Sequence, residues 1–132
     1  MPIPPELLRQ FMAVQIDTGS PNGLFSPSAP APIALPPAIA PSAWGIAPGL
    51  VSEEQDSEKG LADLDKRLKQ AGIQSVPADF TFAGRVVEGR LLLGATRERV
   101  IRLGYKLGEW ALFRISKSGV NVVYTGFNSR AR

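Results

Sequence analysis

Apolar residues recur at helical spacing in two stretches of this chain, and the first runs from Ser52 to Gly72. Ser52 and Gln55 have the spacing of a capping box, and Gly72 is a typical helix stop. Gly60 weakens the middle of this predicted helix, which leaves Ser57 as an alternative start. Its apolar positions are Leu61, Leu64, Leu68 and Ala71.

The second helical stretch begins after Thr96, which can cap a helix that ends at Gly108. On a helical wheel one face is apolar and contains Val100, Leu103, Gly104 and Leu107. The opposite face is basic and contains Arg99, Arg102 and Lys106. The pattern predicts an amphipathic helix whose apolar face lies on a core and whose basic face is exposed.

Four stretches are rich in residues that favour strands: 73–76, 80–93, 110–115 and 120–125. Pro77 is predicted to end the first, whereas Gly84 and Gly89 interrupt the second, either as bulges or as a turn at 88–90. Residues 116–119 have the composition of a hairpin loop. These elements predict an α+β fold with a mostly antiparallel sheet and two helices packed on one face, preceded by a Pro/Ala-rich extended arm.

The region before Ser52 differs in composition from the rest of the chain. Residues 1–17 fit either a helix or a strand, whereas residues 18–51 contain eight of the twelve prolines and no charged residue, which indicates an extended arm. We expect the arm to dock either on its own domain or on a partner chain. Its expected contact residues are Ile33, Leu35, Ile39 and Trp44. Residues 52–126 would form the core of a single globular domain, and residues 127–132 its tail.

Charge is distributed unevenly along the chain. Residues 77–132 carry ten basic and four acidic residues, a net charge of +6, whereas residues 1–50 carry −1 and residues 51–76 carry −2. This asymmetry suggests an anionic partner for the C-terminal half, although a solvated basic surface would have the same composition. The predicted partner or anion contacts are Arg97, Arg99, Arg102, Lys106, Arg114 and Lys117.

The chain has no cysteine and no histidine. It therefore has no disulfides, none of the usual zinc ligands other than carboxylates, and no thiolate or imidazole chemistry. Glu88 lies among apolar residues and is a candidate functional carboxylate, but a turn or edge-strand residue that faces water explains it better. We predict no catalytic residue set, no metal site and no cofactor.

Several segments resemble a family of small bacterial domains known as domain of unknown function 3293. The resemblance extends over residues 43–126. It is carried by segments 43–49, 52–72, 87–89 and 102–108, of which the last reads Arg-Leu-Gly-Tyr-Lys-Leu-Gly. The activity of that family is not established, so the resemblance implies a fold and no function.

These features favour a non-catalytic protein-interaction or regulatory module, a description that also fits small inhibitors encoded by phages or plasmids. The alternative is a nucleic-acid-binding protein without sequence preference, which would use the basic helix together with Tyr105 and the nearby Arg85 and Arg90. No signal peptide or membrane-spanning stretch is recognisable. We therefore expect a cytoplasmic protein with no membrane partner.

Overall fold

The computed structural model describes residues 3–19, 23–51 and 57–127, which within those ranges form three helices and seven strands. The helices are α1 (Pro5–Met12), α2 (Ser57–Ala71) and α3 (Arg97–Lys106). The strands are β1 (Gln15–Asp17), β2 (Leu24–Phe25), β3 (Ser42–Ile46), β4 (Gln74–Phe82), β5 (Arg85–Leu93), β6 (Ala111–Ser116) and β7 (Gly119–Tyr124). The predicted capping box at Ser52 and Gln55, and residues 128–132 of the predicted tail, lie outside the described residues.

The seven strands form one sheet in the order β2-β1-β4-β5-β3-β6-β7, and every neighbouring pair is antiparallel. The α+β class and the antiparallel sheet are therefore confirmed. Both alternatives for the N-terminal region are realised, because helix α1 is followed directly by strand β1. The predicted β6–β7 hairpin is present, with Ser116 opposite Gly119.

The β4–β5 hairpin corrects two sequence predictions. Its turn is at Ala83 and Gly84, whose φ angles of 50° and 80° match the type I′ turn that suits a two-residue hairpin loop, and Gly89 lies inside strand β5. Pro77 does not end a strand but lies within β4. Strand β1 pairs with β4 only at residues 79–81, so Pro77 occupies a stretch of β4 without a neighbour on that side, where a missing N–H is tolerated.

Strand β3 corrects the predicted extent of the arm. Residues Ser42–Ile46 lie between β5 and β6, near the middle of the sheet. The C-terminal part of segment 18–51 thus belongs to the sheet. This five-residue segment lies between Pro41 and Pro48, and its composition does not distinguish it from the rest of the arm. It forms a strand because it pairs with strands that are distant in the sequence.

Two clusters of buried side chains lie on opposite faces of the sheet, because adjacent residues of one strand belong to different clusters. Leu112, for example, belongs to the second cluster and Phe113 to the first. The first cluster also contains Phe11 of α1. The second contains Leu64 and Leu68 of α2 and Val100 of α3, together with Trp44, Ile46, Leu92, Leu112 and Val123.

The sheet is strongly curved. The ring centroid of Phe11 lies 5.4 Å from that of Phe82 on β4 and 6.0 Å from that of Tyr124 on β7. In a flat sheet these two strands would be about 19 Å apart, because three strands separate them. One phenyl ring can reach both strands only if the sheet bends towards a barrel, with α1 at its concave side.

The proline-rich segment between β2 and β3 packs on its own domain. Ile39 is 1% exposed, and the half-buried Ile33 and Leu35 pack against the same first cluster. The backbone N–H of Ile33 also donates a hydrogen bond to the carbonyl of Lys117 in the β6–β7 turn, at 3.0 Å. The segment therefore docks on its own domain, where it completes the core, which is one of the two alternatives that the sequence left open.

Candidate functional site

Helix α3 is held close to the sheet by its inward face. The hydroxyl oxygen of Thr96 accepts a hydrogen bond from the backbone N–H of Arg99 at 3.4 Å, which confirms the predicted cap. Val100 is fully buried, and a Cβ atom at Gly104 would lie 3.0 Å from Leu112 on β6. A side chain at position 104 would press on Leu112 and Thr125, so the glycine allows α3 to lie close to β6.

Helix α2 ends beside α3 in a defined C-terminal cap. The N–H of Gly72 donates to the carbonyl of Lys69, and the N–H of Ile73 donates to the carbonyl of Leu68 at 3.0 Å. With Gly72 at φ 69°, this is the Schellman arrangement. The carbonyl of Ala71 accepts a hydrogen bond from the Arg99 guanidinium at 3.2 Å, which joins the end of α2 to the start of α3.

A groove of about 330 Å³ lies between these two helices, and we call it the cationic groove. Its lining residues are Arg67, Gln70, Ala71, Ile73, Arg99, Arg102, Leu103 and Lys106. Four of the eight are cations, whereas Ala71, Ile73 and Leu103 supply apolar surface. The described lining contains no acidic residue, so the groove is suited to an anionic group that also carries some apolar surface.

Two of the four cations already have partners within the chain. Arg67 pairs with Asp63 at 3.1 Å on the surface of α2, and Arg99 caps α2 as described above. Within the described ranges, Arg102 and Lys106 make no ion pair, and both are exposed. Their charges are therefore the ones most available to a ligand.

The structure divides the six predicted contact residues into two sets. Arg99, Arg102 and Lys106 line the cationic groove, whereas the lining does not include the other three. The guanidinium of Arg114 lies 5.9 Å from the ring centroid of Trp44, a cation–π contact. Lys117 is in the β6–β7 turn, and Arg97 is an exposed residue in the first turn of α3.

Arg67 is the groove residue that sequence reasoning missed. It lies three residues after Leu64 and one before Leu68, at the border of the buried stripe of α2. A helical wheel shows that such a residue flanks the core, but it does not show which helix lies next to it. Only the tertiary arrangement brings Arg67 to the same groove as α3.

Arg90, which the nucleic-acid alternative predicts as a contact residue, joins α2 to strand β5. Its guanidinium makes two hydrogen bonds to the Asp65 carboxylate, both 3.0 Å, and a third to Glu88 at 3.0 Å. Burial disfavours the charged form of Arg90, but the hydrogen bonds and charges of Asp65 and Glu88 outweigh this and raise its pKa. Arg90 thus remains charged and serves an internal contact.

Arg85, which the same alternative predicts as a contact residue, donates a hydrogen bond from its guanidinium to the carbonyl of Leu50 at 2.7 Å. It too makes an internal contact.

Glu88 belongs to a row of exposed carboxylates that crosses three strands. Asp79 on β4 is in register with both Asp17 on β1 and Glu88 on β5. The part of the chain that the structure describes contains no group of three acidic side chains arranged to hold a metal ion. Pairing with Arg90 accounts for Glu88 as a structural residue.

Fold and site together define an α+β protein with a curved seven-stranded antiparallel sheet and a cationic groove between two helices. No family model, curated protein or solved structure matches this chain. In residues 3–19, 23–51 and 57–127, no helix has the length and apolar composition needed to cross a bilayer.

Proposed function

We propose that this protein is a non-catalytic interaction module that binds an acidic segment of a partner protein in the cationic groove. The proposal rests on one observation: four cations from two helices converge on one groove that also has apolar surface. These cations are Arg67, Arg99, Arg102 and Lys106. The proposal takes α2 and α3 to be packed together on one face of the sheet, which their shared buried cluster supports. A small inhibitor encoded by a phage or plasmid would act in this way.

Two observations favour a protein partner over a nucleic acid. Arg85 and Arg90, which would extend the basic surface, are engaged in internal hydrogen bonds. Tyr105, the aromatic residue expected to stack on a base, packs against Phe127 instead, with the two ring centroids 5.6 Å apart. The cations that converge from two elements are those of the cationic groove, whereas backbone binding without sequence preference usually uses a longer basic track.

The absence of histidine and cysteine from the sequence supports binding rather than catalysis. A nucleophile needs a base within hydrogen-bond reach, and the groove combines cations with an amide and apolar side chains. Cations of this kind can hold and orient a carboxylate, but they supply no general base at neutral pH.

The proposal is tested by fluorescence anisotropy with a labelled glutamate-rich peptide and, separately, with a labelled DNA duplex. We expect the peptide to bind, and the double variant Arg102→Glu/Lys106→Glu to weaken its binding at least about tenfold, because two attractive charges become repulsive. The matched control, Arg97→Glu/Lys117→Glu, changes net charge equally outside the groove and should retain most of the affinity.

Two outcomes would contradict the proposal. One is equal loss of affinity in both double variants, which would show that only total charge matters. The other is tighter binding of the duplex than of the peptide, with a logarithm of affinity that falls steeply with the logarithm of salt concentration. That second outcome would establish the nucleic-acid alternative instead.

A further inference from the structure

A second groove lies along the other side of helix α3. Its volume is about 530 Å³, and its lining residues are Glu98, Ile101, Arg102, Tyr105, Lys106 and Thr125. Ile101 and Tyr105 are half-buried and provide its apolar surface. Since 530 Å³ is within the range of pockets that enclose small ligands, the groove can hold a large apolar side chain together with part of the backbone that carries it.

The helical geometry of α3 places the two grooves on either side of a ridge. On a helical wheel, Arg102 and Lys106 form the ridge. Arg99 and Leu103 lie on one side of it, and Ile101 and Tyr105 lie on the other. Both Arg102 and Lys106 accordingly line both grooves. These two cations of the groove, which have no ion-pair partner in the described ranges, therefore form the boundary between a charged site and an apolar site.

From this arrangement we infer that the bound partner segment crosses α3 and inserts a large apolar side chain, such as leucine or phenylalanine, into the second groove. Its carboxylates then lie over Arg102 and Lys106. The inference rests on the proposed function and adds an apolar anchor to the acidic segment. Charge alone would give weak, salt-sensitive attachment, whereas a buried apolar side chain adds affinity that salt does not screen.

Glu98 gives the bound segment a direction. It lines the second groove near the N-terminal end of α3, whereas Lys106 lies at the C-terminal end. A carboxylate of the partner near Glu98 would be repelled, and one near Lys106 attracted. The partner sequence expected to fit has acidic residues on one side of its apolar anchor and a neutral or basic residue on the other.

The test compares two glutamate-rich peptides that differ at one central position, leucine in one and serine in the other. On the wild-type protein we expect the leucine peptide to bind roughly tenfold more tightly, because its side chain is removed from water. In Ile101→Ala this difference should shrink to about twofold or less. Leu61→Ala, which alters a half-buried residue of the same core cluster outside both grooves, should keep it.

The outcomes separate this inference from the proposed function. If both peptides bind with equal affinity and Arg102→Glu/Lys106→Glu weakens both, the anchor inference is overturned and the acidic-segment proposal stands. If neither peptide binds, both are overturned. Because the comparison of the two peptides uses the wild-type chain, it remains decisive even if Ile101→Ala does not fold.

Discussion

Gly89 lies on strand β5 beside the end of strand β3. A Cβ atom at this position would lie 2.4 Å from the carbonyl oxygen of Ile46 and 2.9 Å from the Cα of Ala47. Both contacts are to backbone, which cannot rotate away as a side chain can. Glycine is therefore required here by the close approach of two central strands.

We accordingly predict that Gly89→Ala lowers the free energy of unfolding by about 3 kcal/mol or more. Gly45→Ala serves as a comparison, because its Cβ would meet the Phe80 ring at 3.0 Å, and a ring can shift more readily than backbone. Urea denaturation of both variants measures the difference. A loss for Gly89→Ala no larger than that for Gly45→Ala would show that the strands are not this close.

Tyr124 gives a prediction for alkaline pH. Burial raises the pKa of Tyr124 above the usual tyrosine value of 10.0. The folded state thus holds the phenolic proton more tightly than the unfolded chain does. Its contribution to stability is fully present below a pH of about 10 and is lost as pH rises through the higher folded-state value.

The variant Tyr105→Phe isolates this effect, because it leaves Tyr124 as the sole tyrosine. Spectrophotometric titration of tyrosinate absorbance in that variant should give a midpoint above 10.0 as long as the protein is folded. A midpoint at or below that value would contradict the partial burial of the Tyr124 ring against Phe11.

At the scale of elements, the proline-rich segment acts as part of the core. Ile39 is 1% exposed, so we predict that Ile39→Ala costs about 3 kcal/mol of unfolding free energy. Leu24→Ala removes a comparable aliphatic side chain that is 63% exposed and should cost less than about 0.5 kcal/mol. Thermal and urea unfolding measure both. A loss below about 1 kcal/mol for Ile39→Ala would mean that the segment lies on the domain without supporting it.

The sequence could predict the elements whose own residues carry a signal, such as a helix cap or a hairpin loop. Thr96 caps α3, and the loop composition of residues 116–119 between two stretches of high strand propensity predicts the β6–β7 hairpin. Strand β3 has no such signal, because its pairing with β5 and β6 determines its conformation. The site divides in the same way: Arg102 and Lys106 follow from the basic face of one helix, whereas Arg67 requires knowledge of how two helices meet.

At the scale of the whole molecule, charge is arranged in separate regions. The cationic groove is formed by α2 and α3, whereas Asp17, Asp79 and Glu88 form a row across three strands. The net charge of +3 is therefore a poor description of the surface that a partner meets. A concentrated positive region can attract an acidic segment from solution and orient it before contact.

The most direct test of this account is a titration of the ¹⁵N-labelled protein with the glutamate-rich leucine peptide, followed by two-dimensional NMR. Binding in the cationic groove predicts that the largest amide shift changes fall in residues 67–73 of α2 and its cap and in residues 99–106 of α3. The amides of Arg114 and Lys117 should change little. Shift changes concentrated at those two residues, or spread evenly over all basic positions, would contradict the account.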